Sequence, residues 1–325
     1  MSDRRPKVAI LGTRYTDFAL ERGVLGPSVE IVSGPGGDRA QILEVAGDAD
    51  VIVAGSRPRF DADVIAALSC TAIVRAGIGV DSVDLDAARS ARIWVANVPD
   101  YGTEAVAFHA VALALAGLRR VVEADTALKA GVWGFDALRP LHLPSSLTVG
   151  LVGLGRIGRR AAAMFGGLGV RRMLGHDPFV GEVADVEVVS LETLLGSSDV
   201  VSLHAPGPGD GTPLLGHGEL ASMKEGSVLV NTARGSLVDT DALVASMRRG
   251  RPRIAALDTF DAEPPDLARF EHVADRLIAT PHMAWYTEES QEDMRRKAAQ
   301  EALRVLGGSA PLNPVVDLGE ERAAT

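Results

Sequence analysis

LTVGLVGLGRIGRRAAAMFGGLG, residues 147–169, is the stretch on which the fold turns. Its first half is a short apolar run of the kind that forms a buried strand. Its middle, GLGRIG, places Gly153, Gly155 and Gly158 in a G-x-G-x-x-G spacing, with Arg156 and Ile157 inside it. Its second half is a helical run that opens at Arg156. The glycine spacing alone is a weak signal, but strand, glycine turn and helix in that order give it a physical meaning. Gly153 permits the tight turn, Gly155 lets the backbone approach a pyrophosphate, and Gly158 allows the helix to pack closely on the strand. The helix N-terminus then offers amide donors and a positive dipole to phosphates.

Downstream, Asp177 stands about twenty residues beyond the glycines, at the expected end of the next strand. A carboxylate there accepts hydrogen bonds from ribose hydroxyls and repels a 2′-phosphate, which favours NAD over NADP. Arg171 and Arg172 weigh slightly the other way, although they are expected to face solvent. The same alternation continues through VEVVS (186–190), DVVSLHAP (199–206), GSVLVNTA (226–233), RIAALDTF (253–260) and RLIATPH (276–282). Upstream lies a separate series: KVAILG (7–12), VEIVS (29–33), DVIVAGS (50–56), TAIVRAG (71–77) and IWVAN (93–97). Near-continuous apolar strands separated by helical runs predict parallel sheets covered on both faces. A long helical stretch over 103–129 and a loop rich in Pro and aromatics separate the two series. After residue 286, Thr287 is placed to cap an amphipathic helix that Gly307 and Gly308 end.

Bulk properties narrow the function classes. A length of 325 residues suits two domains better than one core. A formal net charge of −10 argues against nucleic-acid binding, since there is no counterion release to gain. The basic run RRGRPR (248–253) reads as a solvated turn. Cys70 is the only cysteine, and it reads as an inert buried thiol, so no intrachain disulfide is expected. No cluster of ligands at metal-binding spacing is present, and no metal is expected. The N-terminus enters a strand without a signal core, and AVAFHAVALALAGL (105–118), with His109 inside it, reads as a buried helix rather than a membrane span. The expected setting is cytoplasmic, with no membrane partner.

Ligands of open α/β sheets bind outside the carboxyl ends of the strands, so polar residues at those ends are the candidates for chemistry. VLVNTARG ends in Arg234, AALDTFDAEPP carries Asp258 and Glu263, and IATPHMAW carries His282. Each has a plain structural alternative: a surface ion pair, a solvated loop, a satisfied core histidine. Together beside a dinucleotide cradle, an Arg, a carboxylate and a His form a reaction constellation.

With these motifs in family order, the chain resembles the D-isomer-specific 2-hydroxyacid dehydrogenases. The matching pieces are RAGIGVDSVDLDAARSARIWVANVPDYGTEAVAFHA, VGLVGLGRIGR, HDP, LHAPG, SVLVNTARGSLVDTDAL, AALDTFDAEPP and TPHMAW, which together span nearly the whole chain. The resemblance implies an α/β fold of two doubly wound parallel-sheet domains. One is a flavodoxin-like substrate domain formed by residues 1–98 and 287–325. The other is a Rossmann NAD-binding domain over 99–286. The resemblance also implies roles. Arg234 holds the substrate carboxylate and polarises the carbonyl. His282 is the general acid in reduction and the base in oxidation. Glu263 orients His282 and favours its imidazolium form. The amides of Gly77, Ile78 and Gly79 bind the carboxylate. Asp258 holds the nicotinamide amide, and His204, Ala205, Pro206, Thr232 and Ala233 line the cofactor groove.

The match is uneven in places. Phe108 stands where many members carry an acidic residue, and Ile78 makes the substrate loop more apolar. The stretch after His282 resembles the branch that contains the C-terminal-binding-protein corepressors. In that branch a tryptophan three residues after the histidine touches the substrate side chain, and Trp285 occupies that position. Interdomain packing is the alternative for Trp285. Ser56, Arg57 and Arg75 are further substrate-pocket candidates, and the arginines would suit an acidic substrate. The expected activity is NAD-dependent interconversion of a 2-keto acid and a D-2-hydroxy acid. The alternative is an NAD(H)-sensing interaction protein with little turnover. A homodimer through the cofactor domain is expected, with the apolar 105–118 segment, Trp133 and Phe135 at its interface.

Overall fold

The computed structural model describes residues 4–209 and 211–319. The chain divides into two compact units, one running to Gly102 and resuming at Thr287, the other spanning Thr103–Tyr286.

The first unit strings together β1 (Lys7–Leu11), α1 (Ala19–Leu25), β2 (Glu30–Gly34), α2 (Arg39–Ala46), β3 (Val51–Ala54), α3 (Ala62–Ala66), β4 (Ala72–Arg75), α4 (Leu85–Ser90) and β5 (Trp94–Asn97). Strands β1 to β5 pair in parallel in the order β2-β1-β3-β4-β5. This is the flavodoxin-like order. The apolar runs are buried because helices cover them: all four residues of β3 are buried, with Ile42, Ile65 and Ile73 in the same core. Helices α2, α3 and α4 each begin at an aspartate whose side chain accepts an amide of the first turn, at Asp38, Asp61 and Asp84. The chain returns to this unit as α11 (Glu288–Leu306), where Thr287 accepts from the Ser290 amide as the cap. The last strand, Pro314–Val316, had no clear signature in the sequence. It adds to β5 antiparallel, with a register shift, which so short a run can do only because β5 offers it an edge.

The second unit opens with α5 (Thr103–Leu118) and α6 (Val121–Lys129). The single helical stretch expected over 103–129 is broken at Arg120, whose φ of 49° is left-handed, and the two helices bend by 56°. Alanines and Gly117 bring α5 close to the sheet: a Cβ on Gly117 would lie 2.8 Å from Val228. No single helix among the described residues is long and apolar enough to cross a membrane. Then follow β6 (Thr148–Val152), α7 (Arg156–Gly167), β7 (Arg172–His176), β8 (Glu187–Val188), α8 (Leu191–Ser197), β9 (Val200–Leu203), α9 (His217–Ser222), β10 (Val228–Asn231), α10 (Thr240–Met247), β11 (Ile254–Leu257) and β12 (Leu277–Ala279). Their order is β8-β7-β6-β9-β10-β11-β12, and every neighbouring pair is parallel. The order reverses between β6 and β9, which is the switch point of a Rossmann sheet. The Leu147–Gly169 stretch therefore sits at the centre of the unit. Cys70 is a free, buried thiol in the first unit.

Candidate active site

The glycine turn behaves as its spacing predicts. Gly153 has φ +93°, and a Cβ there would lie 2.6 Å from the His204 carbonyl carbon and 2.7 Å from the Ala205 amide. A Cβ on Gly158 would lie 2.0 Å from the Gly153 carbonyl oxygen, so the helix can seat against the turn only with glycine there. A Cβ on Gly155 would meet nothing within 4 Å. Helix α7 starts at Gly155 with no side-chain cap and no acidic residue in its first turn. Its first amides and dipole therefore have no protein acceptor, which fits the phosphates of a dinucleotide. Arg156 is exposed and Ile157 half-buried at this helix start.

Asp177 follows β7 and is half-buried. Its carboxylate accepts from the Leu154 amide at 2.8 Å and from the Phe179 amide at 2.9 Å, which ties the strand end to the glycine turn. The two neighbouring arginines are committed elsewhere. Arg172 opens β7 and pairs with Glu187 at 2.6 Å, and Arg171 donates to Thr148 Oγ1. The groove expected from His204, Ala205, Pro206, Thr232 and Ala233 follows β9 and β10, whose ends adjoin. Here His204 Nδ1 and Thr232 Oγ1 are buried without a hydrogen-bond partner. Burial pushes the His204 imidazole down to about 4, so it is neutral at pH 7. Its Nε2 meets Ser202 Oγ at 3.0 Å. Two orphaned polar atoms at the adjoining ends of β9 and β10, His204 also lying against the glycine turn, suit a polar ligand such as NAD.

The reaction residues lie just past the carboxyl ends of β10, β11 and β12, which are adjacent in the sheet. His282 Nδ1 and Glu263 Oε2 are 2.7 Å apart. Glu263 Oε1 accepts from the Phe260 amide at 3.2 Å. Burial acts to raise the Glu263 carboxyl, but the His282 hydrogen bond and charge, the Phe260 amide and the Arg234 guanidinium outweigh it and hold the group below the usual carboxylate range. Arg234 thus acts electrostatically on the same carboxylate. The Arg234 loop is set by Asn231, which accepts from the Ala233 amide and donates to the Arg234 carbonyl. It lies flush against the next loop because of Gly235: a Cβ there would fall 1.9 Å from the Phe260 carbonyl carbon.

His282 itself adopts φ +50°, a left-handed conformation that a non-glycine residue holds only when its surroundings over-determine it. Asp258 supplies much of that constraint. Its carbonyl accepts the His282 amide at 2.9 Å. Its carboxylate accepts from Thr280 Oγ1 at 2.6 Å and from the amides of Met283 and Ala284, each at 2.9 Å. Thr280 gives its one hydroxyl proton to Asp258, so His109 Nε2, 3.1 Å away, must be a donor to that hydroxyl. The Trp285 indole N–H donates to the His282 carbonyl at 3.2 Å, and its ring meets Tyr286 edge-on.

Asp258, expected at the nicotinamide amide, is fully buried in this structure and takes three donors, and through them it holds the turn that carries His282. The supports Thr280, His109 and Asn231 were not assigned from the sequence. The only signal for them was position: Thr280 and Asn231 sit at strand ends, and His109 is a polar residue on an apolar helix.

In the first unit, Ser56 is exposed just past β3. Arg75 ends β4, and its Nη1 donates to the carbonyls of Ala54 and Ala76. That contact shapes the Gly77–Ile78–Gly79 loop, where Gly77 has φ +154° and the Ile78 carbonyl accepts from Asn97 Nδ2 at 2.7 Å. Arg75 thus serves the loop's own backbone, while Arg57 is exposed. No group of three or more His, Cys, Asp or Glu that could hold a metal ion occurs among the described residues.

Comparison with known proteins adds a name to this geometry. A family model described as D-isomer specific 2-hydroxyacid dehydrogenase, NAD binding domain, matches residues 111–284. The chain is 35% identical over 295 residues to D-3-phosphoglycerate dehydrogenase of Archaeoglobus fulgidus, a match covering 89% of this chain and 55% of that protein. The chain thus spans about half the length of that relative. It is 34% identical over 274 residues to hydroxypyruvate reductase of Thermotoga maritima, covering 83% of this chain and 89% of the relative. Among solved structures, the TT0316 protein from Thermus thermophilus is 36% identical with a TM-score of 0.86, over 95% of this chain and 100% of that one. D-lactate dehydrogenase from Aquifex aeolicus, complexed with NAD and lactic acid, is 27% identical with a TM-score of 0.84, over 95% and 99% of the two chains.

Proposed function

The chain belongs to the D-isomer specific 2-hydroxyacid dehydrogenases, and from that premise we propose that it interconverts a 2-keto acid and a D-2-hydroxy acid with NAD. The observation that carries the proposal is the 2.7 Å His282–Glu263 pair, in the same unit as an NAD-type glycine turn.

NAD supplies the hydride acceptor or donor. The rest falls to side chains of this protein. Glu263 holds Nδ1 of His282, which leaves Nε2 as the atom that carries the exchanged proton. As negative charge develops on the carbonyl oxygen during reduction, a proton on Nε2 neutralises it; in oxidation Nε2 takes the proton back. Arg234 holds the substrate carboxylate through its planar fork and adds positive charge beside the same oxygen. Asp258, Thr280 and Trp285 fix the backbone from which His282 projects. The roles of Ser56, Arg75, Gly77, Ile78, Gly79 and Trp285 toward the substrate, and of Arg156, Ile157, Ala205, Pro206 and Ala233 toward NAD, belong to the same proposal. The resemblance of the stretch after His282 to the corepressor branch carries no weight here; the relatives compared are dehydrogenases and a reductase.

A homodimer is also part of the proposal. Phe108 (65% exposed), Trp133 (90%) and Phe135 (61%), with Leu128, Val132 and Leu143, leave large apolar surfaces uncovered on the second unit.

The test is NADH oxidation by the full chain across 2-keto acids: glyoxylate, pyruvate, hydroxypyruvate, branched, thioether, aromatic and phosphorylated. His282→Ala is assayed in parallel. Turnover that falls by about three orders of magnitude in the variant, with NADH binding retained, supports the reading. Tight NADH binding without turnover on any acid would replace it with the cofactor-sensing alternative.

A further inference from the structure

A second cluster of charge lies at the other end of the Rossmann sheet, away from the residues assigned above to the reaction and to NAD. The residues that open β10 and β11, Val228 and Ile254, line a cavity of about 50 Å³ together with Arg120, His142, Asp199 and Arg253. One water needs about 10–15 Å³, so this space suits a group of several heavy atoms. Two guanidiniums converge on it. Arg120, in its left-handed turn between α5 and α6, is 8% exposed. Its Nη1 reaches only the carbonyls of Ala137 and Arg139, both at a long 3.4 Å. Among the described residues no carboxylate comes within ion-pair distance of it. Arg253 comes from the basic run 248–253, which the sequence presents as a solvated turn. It is instead partly buried, and its Nε is buried without a partner.

The neighbouring negative charges do not neutralise this pair. Glu123 meets Arg253 Nη2 at 3.2 Å but does not line the cavity. Asp199 does line it, yet its oxygens are taken by Lys224 at 2.5 Å and the Thr148 amide at 2.8 Å. Two arginines against one available carboxylate leave one positive charge uncompensated beside a buried donor. Burial first, and the Arg253 charge second, push Arg120 below its ordinary value, while Glu123 acts in the opposite sense. A buried cation in that position is stable when an anion completes it.

We propose that this cavity binds a small tetrahedral oxyanion of the phosphate class, either the free ion or the end of a phosphomonoester. Arginine forks match the oxygens of such a group, and Nε of Arg253 supplies a further donor. The site is independent of the dehydrogenase reading, because it shares no residue with the His282 end of the sheet.

The experiment is isothermal titration of the full chain with inorganic phosphate and, separately, with glycerol 3-phosphate, at ionic strength matched with sodium chloride. Arg120→Asn is the variant, since asparagine tolerates the left-handed φ of this position better than arginine and the fold is retained. A thermal melt confirms that it is. Saturable binding near one ion per chain, weakened at least tenfold in Arg120→Asn with NADH binding unchanged, is the expected result. Binding of both ligands identifies a site open to phosphomonoesters; binding of phosphate alone identifies an ion site. Absence of saturable binding by either, or equal binding by the folded variant, overturns the proposal.

Discussion

Asp258→Asn isolates the device that holds His282. The carboxylate takes two donors on Oδ1 and one on Oδ2. The asparagine oxygen would stay toward Thr280 and the Met283 amide, because the opposite flip faces its NH2 to two donors. The NH2 then confronts the Ala284 amide, donor against donor, at a residue that is 4% exposed. An orphaned buried amide costs roughly 1–3 kcal/mol. The two remaining bonds lose their charge assistance, about 1 kcal/mol each. The sum is about 3–5 kcal/mol, and a unit of the size of Thr103–Tyr286 loses roughly 2–4 °C of Tm per kcal/mol. A Tm lowered by about 10 °C in a calorimetric scan is therefore expected. Activity should fall more sharply than cofactor affinity: with its tethers weakened, the φ +50° turn relaxes, and misplacement of about 1 Å costs on the order of a hundredfold in kcat. A variant whose Tm stays within about 2 °C and whose kcat is unchanged would refute the assignment of Asp258 to this turn.

Other expectations follow from single contacts. The Glu263 carboxyl is held below its ordinary value, so its contribution to stability is present above the unfolded pKa of about 4.3 and disappears as pH falls through the lower folded one. The stability gap between the wild type and Glu263→Gln should be constant at neutral pH and shrink only in acid; denaturant melts showing a gap that instead grows in acid would exclude this origin. Gly235→Ala puts a methyl within 2 Å of the Phe260 carbonyl group, and a loss of at least about 2 kcal/mol is expected in urea unfolding, with kcat reduced as the Arg234 and Glu263 loops separate. A change under about 0.5 kcal/mol would show the loops to be compliant. Phe108→Glu combined with Trp133→Glu should convert a dimer to a monomer in sedimentation at micromolar protein; a wild type that sediments as a monomer removes the dimer proposal.

The legible part of this protein was the part written in local pattern. Glycines 153, 155 and 158 follow an apolar run and open a helix, so backbone geometry dictates where they sit and what they can approach. The strand ends that carry Arg234, Glu263 and His282 were readable because parallel strands are buried on both faces and their ends are marked by the first polar residues. Two residues were misjudged for a common reason: Arg120 looked like helix interior and Arg253 like solvated turn.

Several of the contacts that settle these and other side chains join residues far apart in the chain. Asp258 is satisfied by residues 22–26 positions later, and His109 reaches Thr280 across 171 positions. Arg253 meets Glu123 across 130. Sequence alone determined the element types, the sheet class and the cofactor turn, because period, glycine spacing and burial are properties of a short window. Tertiary structure alone decided which charges are neutralised and which backbone is held in a left-handed turn. Those depend on donors and acceptors that no short window contains.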